Sequence, residues 1–527
     1  MRATAPLIGD RLASVQGVTA KSRLATEPYW IESAALPSFP KLDHDDAVDV
    51  VIVGGGITGL TAAYLLTLEG RRVALLERGR LAQIDTGHTS AHLSMVTDEG
   101  LTALAKRFGR DHAKATWDAG LAAIGQIDAI VADLQIPCDF AWVPAYVHAP
   151  IAQPVDDTVR SELRQEAQLA AELGFDAAFM EELPFVGGPG IRFDGQARFH
   201  PRKYLDGLAR AIADRGGMIF EHSAAEAFCD DPLSVTSNGH TLTCGDIVLA
   251  THTPLMGNAG TLSATLFQTK LALYTTYVIG GRVEKGRIPD ALFWDTADPY
   301  HYLRIEPDSG HDVVIFGGED HKTGQASPTE ACFDRLERTL TSILGGVDIT
   351  HRWSGQVIET ADGLPFIGDT AAHQFASTGY AGNGMTFGTL AGIMAADRIM
   401  NRSNPWSRLF DPSRTAIGGL WDYVKENKDY PYYMIRDRFA GAEGKSLRAV
   451  PRGSGRVLDL NGQAVAVYRD ARGAVTKKSA ICTHMGCHVG WNDAEQTWDC
   501  PCHGSRFKID GAVIAGPAES PLGDPQK

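Results

Sequence analysis

Two cysteine–histidine pairs near the end of the chain carry the clearest chemistry in the sequence. Cys482 stands two residues before His484, and Cys500 stands three residues before His503. Two thiolates and two neutral imidazoles can hold a 2Fe–2S cluster, with both cysteines on one iron and both histidines on the other. The same four side chains could instead hold one tetrahedral zinc ion. The sequence therefore predicts a metal centre formed by these four residues.

The surroundings of the two pairs favour the cluster over zinc. Cys487 and Cys502 stand close to the pairs, and a Gly516-Pro517-Ala518 segment follows them. This arrangement resembles the Rieske proteins of cytochrome bc complexes. The resemblance implies a disulfide between Cys487 and Cys502 that ties the two cluster loops together. Short β-like runs separated by Asn-Gly and Ala-Arg-Gly turns predict a small all-β Rieske domain over residues 445–527.

Ser505 and Phe507, which follow the second cysteine–histidine pair, affect the reduction potential expected for such a cluster. Ser505 matches the serine that donates a hydrogen bond to a bridging sulfide in high-potential relatives. Phe507 stands where those relatives usually have a tyrosine. The resemblance therefore implies a potential below that of quinol-oxidising Rieske proteins and above that of disulfide-free Rieske ferredoxins.

A second motif lies near the N-terminal end and reads as a strand, a tight turn and a helix. An apolar run over residues 49–53 precedes a glycine-rich turn, and an apolar helix-forming stretch covers residues 60–68. Gly54 permits the turn, Gly56 lets the backbone approach a pyrophosphate, and Gly59 allows the helix to pack on the strand. The motif predicts a dinucleotide-binding domain.

An acidic residue supports that prediction. A second apolar run over residues 72–76 ends in Glu77, about twenty residues past the first glycine, where a carboxylate can accept hydrogen bonds from both ribose hydroxyls of an adenosine. We place Arg78 in the same cofactor-binding set. Because the sequence shows one such fingerprint, it does not support the two-dinucleotide design of NADPH-dependent flavin reductases.

A further glycine-rich turn enters a helix late in the same domain. The backbone amides of such a turn could face the pyrimidine edge of a flavin, where the helix dipole would stabilise the negative charge of the reduced ring. The predicted flavin-binding residues of this turn are Gly382, Asn383, Gly384, Met385 and Thr386.

The pattern from Val51 to about Met400 resembles the flavoprotein family of D-amino acid oxidase and sarcosine oxidase. Phe199-His200-Pro201 before a helix belongs to that pattern. Members of the family oxidise C–N bonds of amines and amino acids with FAD. The whole chain is similar to bacterial FAD-dependent oxidoreductases that carry a C-terminal Rieske domain. FAD and a Rieske-type 2Fe–2S cluster are therefore the implied cofactors.

The resemblance places His88, Thr89 and Ser90 along the flavin ring. His88 resembles the histidine that is covalently attached to FAD in dimethylglycine and sarcosine dehydrogenases, although the adjacent tryptophan of those enzymes is missing here. Covalent attachment, noncovalent flavin contact and a structural role all stay open for His88. A metal site formed with His92, four residues on, is a weaker alternative because no glutamate lies between the two histidines.

The predicted fold is an α/β (α+β) FAD-binding, Rossmann-like domain with an antiparallel-sheet substrate domain and a small all-β Rieske domain. The substrate domain interrupts the FAD-binding domain. The predicted parts are an N-terminal extension 1–46, an oxidoreductase body 47–402 (FAD-binding 47–134, 196–251 and 352–402; substrate 135–195 and 252–351), a linker 403–444 and the Rieske domain 445–527.

Together the two predicted cofactors indicate an oxidoreductase. FAD can take two electrons from a C–N bond, and the cluster can carry them singly to an external acceptor from an exposed histidine edge near His484 and His503. An electron-transfer reductase and a noncatalytic redox carrier or sensor are the alternatives. A Rieske oxygenase is a poorer one, because the flavoprotein body offers no obvious place for an iron held by two histidines and a carboxylate.

Candidate substrate-binding groups are fewer. Arg304 could hold a substrate carboxylate bidentately, and Tyr274 and Tyr302 fall in segments that should cover the flavin. We name no catalytic base. The implied substrate is a small molecule, an amine or an amino acid.

The overall charge and the apolar pattern argue against nucleic acid and membranes as partners. A net charge of −15 argues against nonspecific binding to nucleic acid or to an anionic membrane surface, since both attract basic patches. The longest apolar run is interrupted by glycines, so we expect no membrane span. The first residues lack the apolar core of a secretory signal, which predicts a cytoplasmic location.

Overall fold

The computed structural model describes residues 25–151, 155–254, 270–326, 328–414, 443–444 and 446–525. The predicted extension is thus described from residue 25 onward, and most of the predicted linker lies outside the described residues. The α-helices are Tyr29–Ser33, Ile57–Leu68, Gly100–Phe108, Arg110–Leu134, Asp157–Glu172, Pro201–Asp214, Glu330–Leu344 and Gly384–Ile399, and Leu447–Ala449 is a short 3-10 helix. In this described part of the chain no helix combines the length and apolar character needed to cross a membrane.

A six-stranded sheet forms the centre of the nucleotide-binding part. Its strands, in spatial order, are Phe366–Ala371, Gln374–Thr378, Asp246–Leu249, Val50–Val53, Val73–Leu76 and Met218–Phe220. All neighbours are parallel except the first pair. The Rossmann-like prediction is confirmed.

Strand Val50–Val53 is apolar throughout because both of its faces are covered. Val50 and Ile52 pack into the core with the helices, among them Ile57–Leu68. Val51 and Val53 pack into a second core on the opposite face of the sheet. A small sheet supplies the other side of that core through its strands Asp46–Ala47, His240–Thr243, Leu233–Ser237 and Ala227–Asp230.

A nine-stranded sheet forms the predicted substrate part. Its order is Asp348–Thr360, Leu271–Val283, Asp312–Lys322, Tyr302–Pro307, Leu292–Asp295, Ala141–His148, Gly190–Arg198 and His92–Leu93, with Ala177–Met180 also paired to Gly190–Arg198. Pairing is antiparallel, as predicted, apart from the parallel pair of Leu292–Asp295 with Ala141–His148. The boundary predicted at residue 352 falls inside strand Asp348–Thr360, which spans both predicted parts.

The C-terminal domain is all-β, as predicted. One sheet contains Ser454–Leu460, Gln463–Arg469 and Val475–Ser479, and the other contains Gly490–Asn492, Thr497–Asp499, Arg506–Phe507 and Val513–Ala515. The two cysteine–histidine pairs lie in connections between these strands. We call residues 482–487 the first cluster loop and residues 500–504 the second cluster loop.

The glycine-rich turn after Val50–Val53 is closed by a backbone contact that only a glycine permits. A Cβ atom on Gly59 would lie 1.9 Å from the carbonyl oxygen of Gly54. Helix Ile57–Leu68 can therefore start directly above the strand, with its free N–H groups directed at the space beyond the turn.

We expect the substitution Gly59→Ala to displace this turn and to remove most bound FAD, because overpacking against backbone costs about 1–3 kcal/mol. The measurement is flavin absorbance per chain together with the melting temperature. Gly125→Ala is the matched control, since Gly125 lies within helix Arg110–Leu134 and an added Cβ meets no atom within 4 Å. Full flavin retention in Gly59→Ala would contradict the assignment of the turn.

Candidate functional site: a flavin cavity beside a cluster site

One cavity of about 590 Å³ joins the nucleotide-binding turn to the large sheet. Its walls include Gly54, Gly56, Glu77 and Arg78 at one end. The predicted ring-contact residues His88, Thr89 and Ser90 and the turn residues Gly382, Asn383, Gly384 and Met385 line the same space. The fold thus brings together segments more than three hundred residues apart in the chain.

Two predicted cofactor residues support the cavity from outside its lining. Gly59 makes the backbone contact described above. Thr386 is fully buried, and its hydroxyl donates to the Ser94 carbonyl oxygen at 3.0 Å. Asn383 is nearby and its side-chain amide donates to the Val96 carbonyl oxygen at 2.9 Å. These bonds fix the turn at the start of helix Gly384–Ile399.

Two backbone N–H groups hold the carboxylate of Glu77 in place. One carboxylate oxygen accepts from the Gly55 N–H at 2.9 Å and the other from the Gly79 N–H at 2.7 Å. Burial raises the pKa of this carboxyl group. Each oxygen keeps a lone pair for a ribose hydroxyl. Arg78 also lines the cavity, but its guanidinium donates to the carbonyl oxygen of Ile514 in the C-terminal domain.

His88 lies in a turn segment and not on a helix. Its Nδ1 atom lies 2.6 Å from the Ser354 carbonyl oxygen, and because a carbonyl only accepts, Nδ1 carries the proton. His92 begins a short strand, and burial lowers its pKa to about 3. The helical spacing on which a His88–His92 metal site depends is therefore absent from this described segment.

The three candidate substrate-binding residues do not lie together in the structure. Tyr302 lines the cavity and shares a hydrogen bond of 2.8 Å with Thr276. Tyr274 lies outside the cavity lining. Arg304 is fully buried outside it, where its guanidinium donates to the carbonyl oxygens of Ala91 and Phe199 and pairs with Glu306.

Because of those contacts, Arg304 is part of a buried structural ion pair and does not receive a substrate carboxylate.

Sequence reasoning missed other residues of the cavity wall, namely Asp98, Trp294, Tyr300, Asp320 and Gln356. Asp98 and Asp320 belong to no motif of the sequence, and only the folded chain shows that both reach the same cavity.

The cluster loops bring all four predicted ligands together. The thiols of Cys482 and Cys500 are hydrogen-bonded to each other, and that bond lowers the pKa of Cys482 to about 7. The rings of His484 and His503 lie 5.0 Å apart between centroids. Cys487 and Cys502 form the disulfide that the resemblance implied.

This donor set fits a 2Fe–2S cluster. Burial lowers the pKa of both His484 and His503 to about 4, so each imidazole is neutral at pH 7, as iron ligation requires. The Nε2 atom of His484 is buried and has no hydrogen-bond partner among the described residues. Ser505 is fully buried and also hydrogen-bonds to the Cys482 sulfur.

The C-terminal domain packs directly on this cavity. Ala515, Gly516, Ala518, Glu519 and Ser520 form part of the cavity wall. The side-chain amide of Gln356, which also lines the cavity, donates to the Gly504 carbonyl oxygen at 2.8 Å. Gln325 donates in the same way to the Pro501 carbonyl oxygen at 3.1 Å.

This packing changes the prediction of an exposed histidine edge. His484 and His503 are half-buried, and the residues beside His503 contact the flavoprotein body. The second cluster loop thus packs against the flavoprotein body. On the first cluster loop, Thr483 is exposed, and Ile481 just before it is 49% exposed.

Comparison with known proteins defines the class. A family model described as FAD dependent oxidoreductase matches residues 49–398, and one described as Rieske [2Fe-2S] domain matches residues 445–525. The chain belongs to the FAD dependent oxidoreductase family and ends in a Rieske domain. Its cofactors are FAD and a 2Fe–2S cluster.

Among individual proteins, the chain is similar over nearly its full length to YhfW of Bacillus subtilis, whose name gives it as a Rieske 2Fe-2S iron-sulfur protein. The two are 32% identical over 506 residues, which cover 94% of this chain and 97% of YhfW. A cytochrome b6-f complex iron-sulfur subunit of Chlorobaculum thiosulfatiphilum is 44% identical over 73 residues, 14% of this chain and 40% of that subunit.

Solved structures share the fold of the flavoprotein body. A glycine oxidase from Geobacillus kaustophilus has a TM-score of 0.59 at 16% identity and covers 70% of this chain and 99% of its own. An L-proline dehydrogenase from P. horikoshii has a TM-score of 0.57 at 16% identity, with 70% and 98% coverage.

We expect Cys500→Ser to abolish the cluster while FAD stays bound, because one iron would lose a thiolate and the four cluster ligands lie outside the cavity lining. Iron content, visible absorption and the EPR signal of the reduced protein measure the effect. Cys229→Ser is the control, since Cys229 is a free, exposed cysteine. An intact cluster in Cys500→Ser would overturn the ligand assignment, and zinc in the purified protein would restore the tetrahedral alternative.

Proposed function

We propose that the protein is a dehydrogenase that oxidises the C–N bond of an amine or amino acid at FAD and passes the electrons through the Rieske cluster to an external acceptor. One observation carries this proposal. The C-terminal domain forms part of the flavin cavity wall, and Gln356 links that cavity to the loop that contains His503. A direct contact of this kind supports electron exchange between the two cofactors of one chain.

When bound, FAD supplies a two-electron acceptor and the cluster supplies a one-electron carrier. The substrate loses two electrons and two protons as its C–N bond becomes C=N. The external acceptor is a one-electron carrier that is reduced twice per substrate molecule, and the two protons leave to solvent. Electrons and protons then balance without any further reactant.

Residues of the chain bind the nucleotide and fix the cavity walls around the ring. Glu77 and the turn at Gly54 hold the nucleotide, and the turn at Gly382 supplies amides toward the ring. Tyr302 and Thr276 fix the opposite wall through their shared hydrogen bond. Gln356 is a positioning residue that holds the second cluster loop against the cavity.

The alternatives give weaker accounts of the site. A carrier or sensor would have a sealed flavin face, whereas Asp98, Tyr300, Tyr302 and Asp320 extend the cavity beyond the turn at Gly382. An oxygenase needs two histidines and a carboxylate around one iron. Within the described ranges, the group of three or more possible ligand atoms that lie within 4.8 Å of one another is formed by Cys487, Cys500 and Cys502, and it contains neither a histidine nor a carboxylate. A cytoplasmic location stays a prediction of the sequence.

The test is an anaerobic titration of the holoprotein with amines, amino acids and NAD(P)H, in which flavin bleaching and the Rieske EPR signal are followed together. We expect an amine to bleach the flavin and the EPR signal of the reduced cluster to follow. If NAD(P)H or a protein donor is the sole reductant, the protein is a reductase or carrier and the proposal fails.

We expect Gln356→Leu to slow the appearance of the EPR signal after flavin bleaching, with both cofactors still bound. Loss of one hydrogen bond weakens the docking of the loop by about 1 kcal/mol, which corresponds to roughly fivefold in the equilibrium constant for docking. Rapid mixing followed by freeze-quench EPR measures the rate. Gln165→Leu, at an exposed glutamine on helix Asp157–Glu172, is the matched control. An unchanged rate in Gln356→Leu would show that this contact has no role in transfer.

A further inference from the structure

Two carboxylates, those of Asp98 and Asp320, lie close enough to repel each other on the predicted substrate side of the cavity. Asp98 lies two residues before the start of helix Gly100–Phe108. A Cβ atom added to Gly382 would lie 2.6 Å from the Oδ2 atom of Asp98. Asp98 therefore lies directly against the turn predicted to face the flavin ring. Asp320 projects into the same cavity from strand Asp312–Lys322 of the large sheet.

These carboxylates are incompletely satisfied by the protein. Asp98 accepts a hydrogen bond of 3.3 Å from the Tyr300 hydroxyl. The Oδ1 atom of Asp320 is buried and has no partner among the described residues. Burial raises the pKa of Asp98 to about 7, with a further increase from the charge of Asp320, and burial raises the pKa of Asp320 to about 6. A bound cation would compensate both groups.

The described cavity lining offers no matching site for a substrate carboxylate. Its arginines are Arg78 and Arg80, which follow Glu77 at the nucleotide end, and its histidines are His88, His92 and His252. Burial lowers the pKa of His92 to about 3, His88 is bonded to the Ser354 carbonyl oxygen, and the Nε2 atom of His252 lies 3.6 Å from the Asp85 carboxylate. Arg80 pairs with Glu221, and Arg78 donates to the backbone of the C-terminal domain. Arg304, the predicted carboxylate partner, is buried elsewhere. A carboxylate beside Asp98 and Asp320 would be repelled by both of them, and the nearby cation that acts on Asp320 is His301, which lies outside the cavity lining and pairs with Asp295.

We propose that this site takes cationic amines that lack a carboxylate, and that it prefers diamines to monoamines. This inference rests on the proposed function and narrows its substrate class. Asp98 and Asp320 accept hydrogen bonds from the charged nitrogens. A diamine supplies two positive charges for the two carboxylates, a monoamine supplies one, and an amino acid adds a repelled negative group.

Three probes of similar length test the preference: putrescine, butylamine and γ-aminobutyrate. Each is mixed anaerobically with the oxidised holoprotein. The rapid shift of the flavin absorption gives the dissociation constant, and the slower bleaching gives the rate of reduction. We expect putrescine to bind most tightly, butylamine more weakly and γ-aminobutyrate weakest.

The variants Asp320→Asn and Asp98→Asn should each weaken putrescine binding by about tenfold or more, the loss expected for one charge-assisted hydrogen bond. Neither should weaken γ-aminobutyrate binding. The ratio of the two dissociation constants within one variant is independent of the amount of folded protein. Asp334→Asn is the control, because Asp334 is exposed on helix Glu330–Leu344, outside the cavity.

The outcomes separate this inference from the proposed function. If γ-aminobutyrate or an α-amino acid binds and reduces the flavin as well as putrescine does, the inference fails and the dehydrogenase proposal stands. Loss of FAD in the Asn variants without a change in the ratio also overturns it, since the carboxylates would then serve the flavin. If no amine or amino acid shifts or bleaches the flavin, both proposals fail.

Discussion

The close packing of the second cluster loop on the large sheet sets the relation between the two halves of this protein. Gly504 has a backbone φ of +70°, and a Cβ atom there would lie 2.6 Å from the Leu273 Cβ. The loop therefore approaches the sheet as closely as a glycine allows. That approach brings the Gly504 carbonyl oxygen within reach of Gln356, whose side chain also lines the flavin cavity. His503 is thus the residue before the glycine whose carbonyl oxygen contacts a residue of the cavity wall.

Much of the architecture could be predicted from the sequence because its signals are local. A strand, a glycine turn and a helix occupy consecutive residues around Gly54, and the backbone itself determines what such a turn can bind. The two cysteine–histidine pairs also have short internal spacing, so the ligand types alone indicate the centre. The fold class, the family and both cofactors predicted from these signals are confirmed.

The remainder depends on contacts that no local pattern encodes. Arg304 matches a carboxylate-binding residue by type, but its strand directs it into the core, where Glu306 and backbone carbonyl groups occupy its donors. Asp98 and Asp320 are ordinary acidic residues in sequence, and their significance arises only because helix and sheet meet at one cavity. The docking of the Rieske domain likewise depends on surfaces far apart in the chain.

The shared cavity wall also has a consequence for biosynthesis. Residues 515–520 follow every other segment of the cavity wall along the chain, so they are synthesised after the turn at Gly54. During synthesis the growing chain can thus fold most of the flavin cavity before its final wall exists. FAD can bind to this partly formed cavity, and the C-terminal domain then adds the last part of its wall. The order of the two domains along the chain thereby allows FAD to bind before the cavity wall is complete.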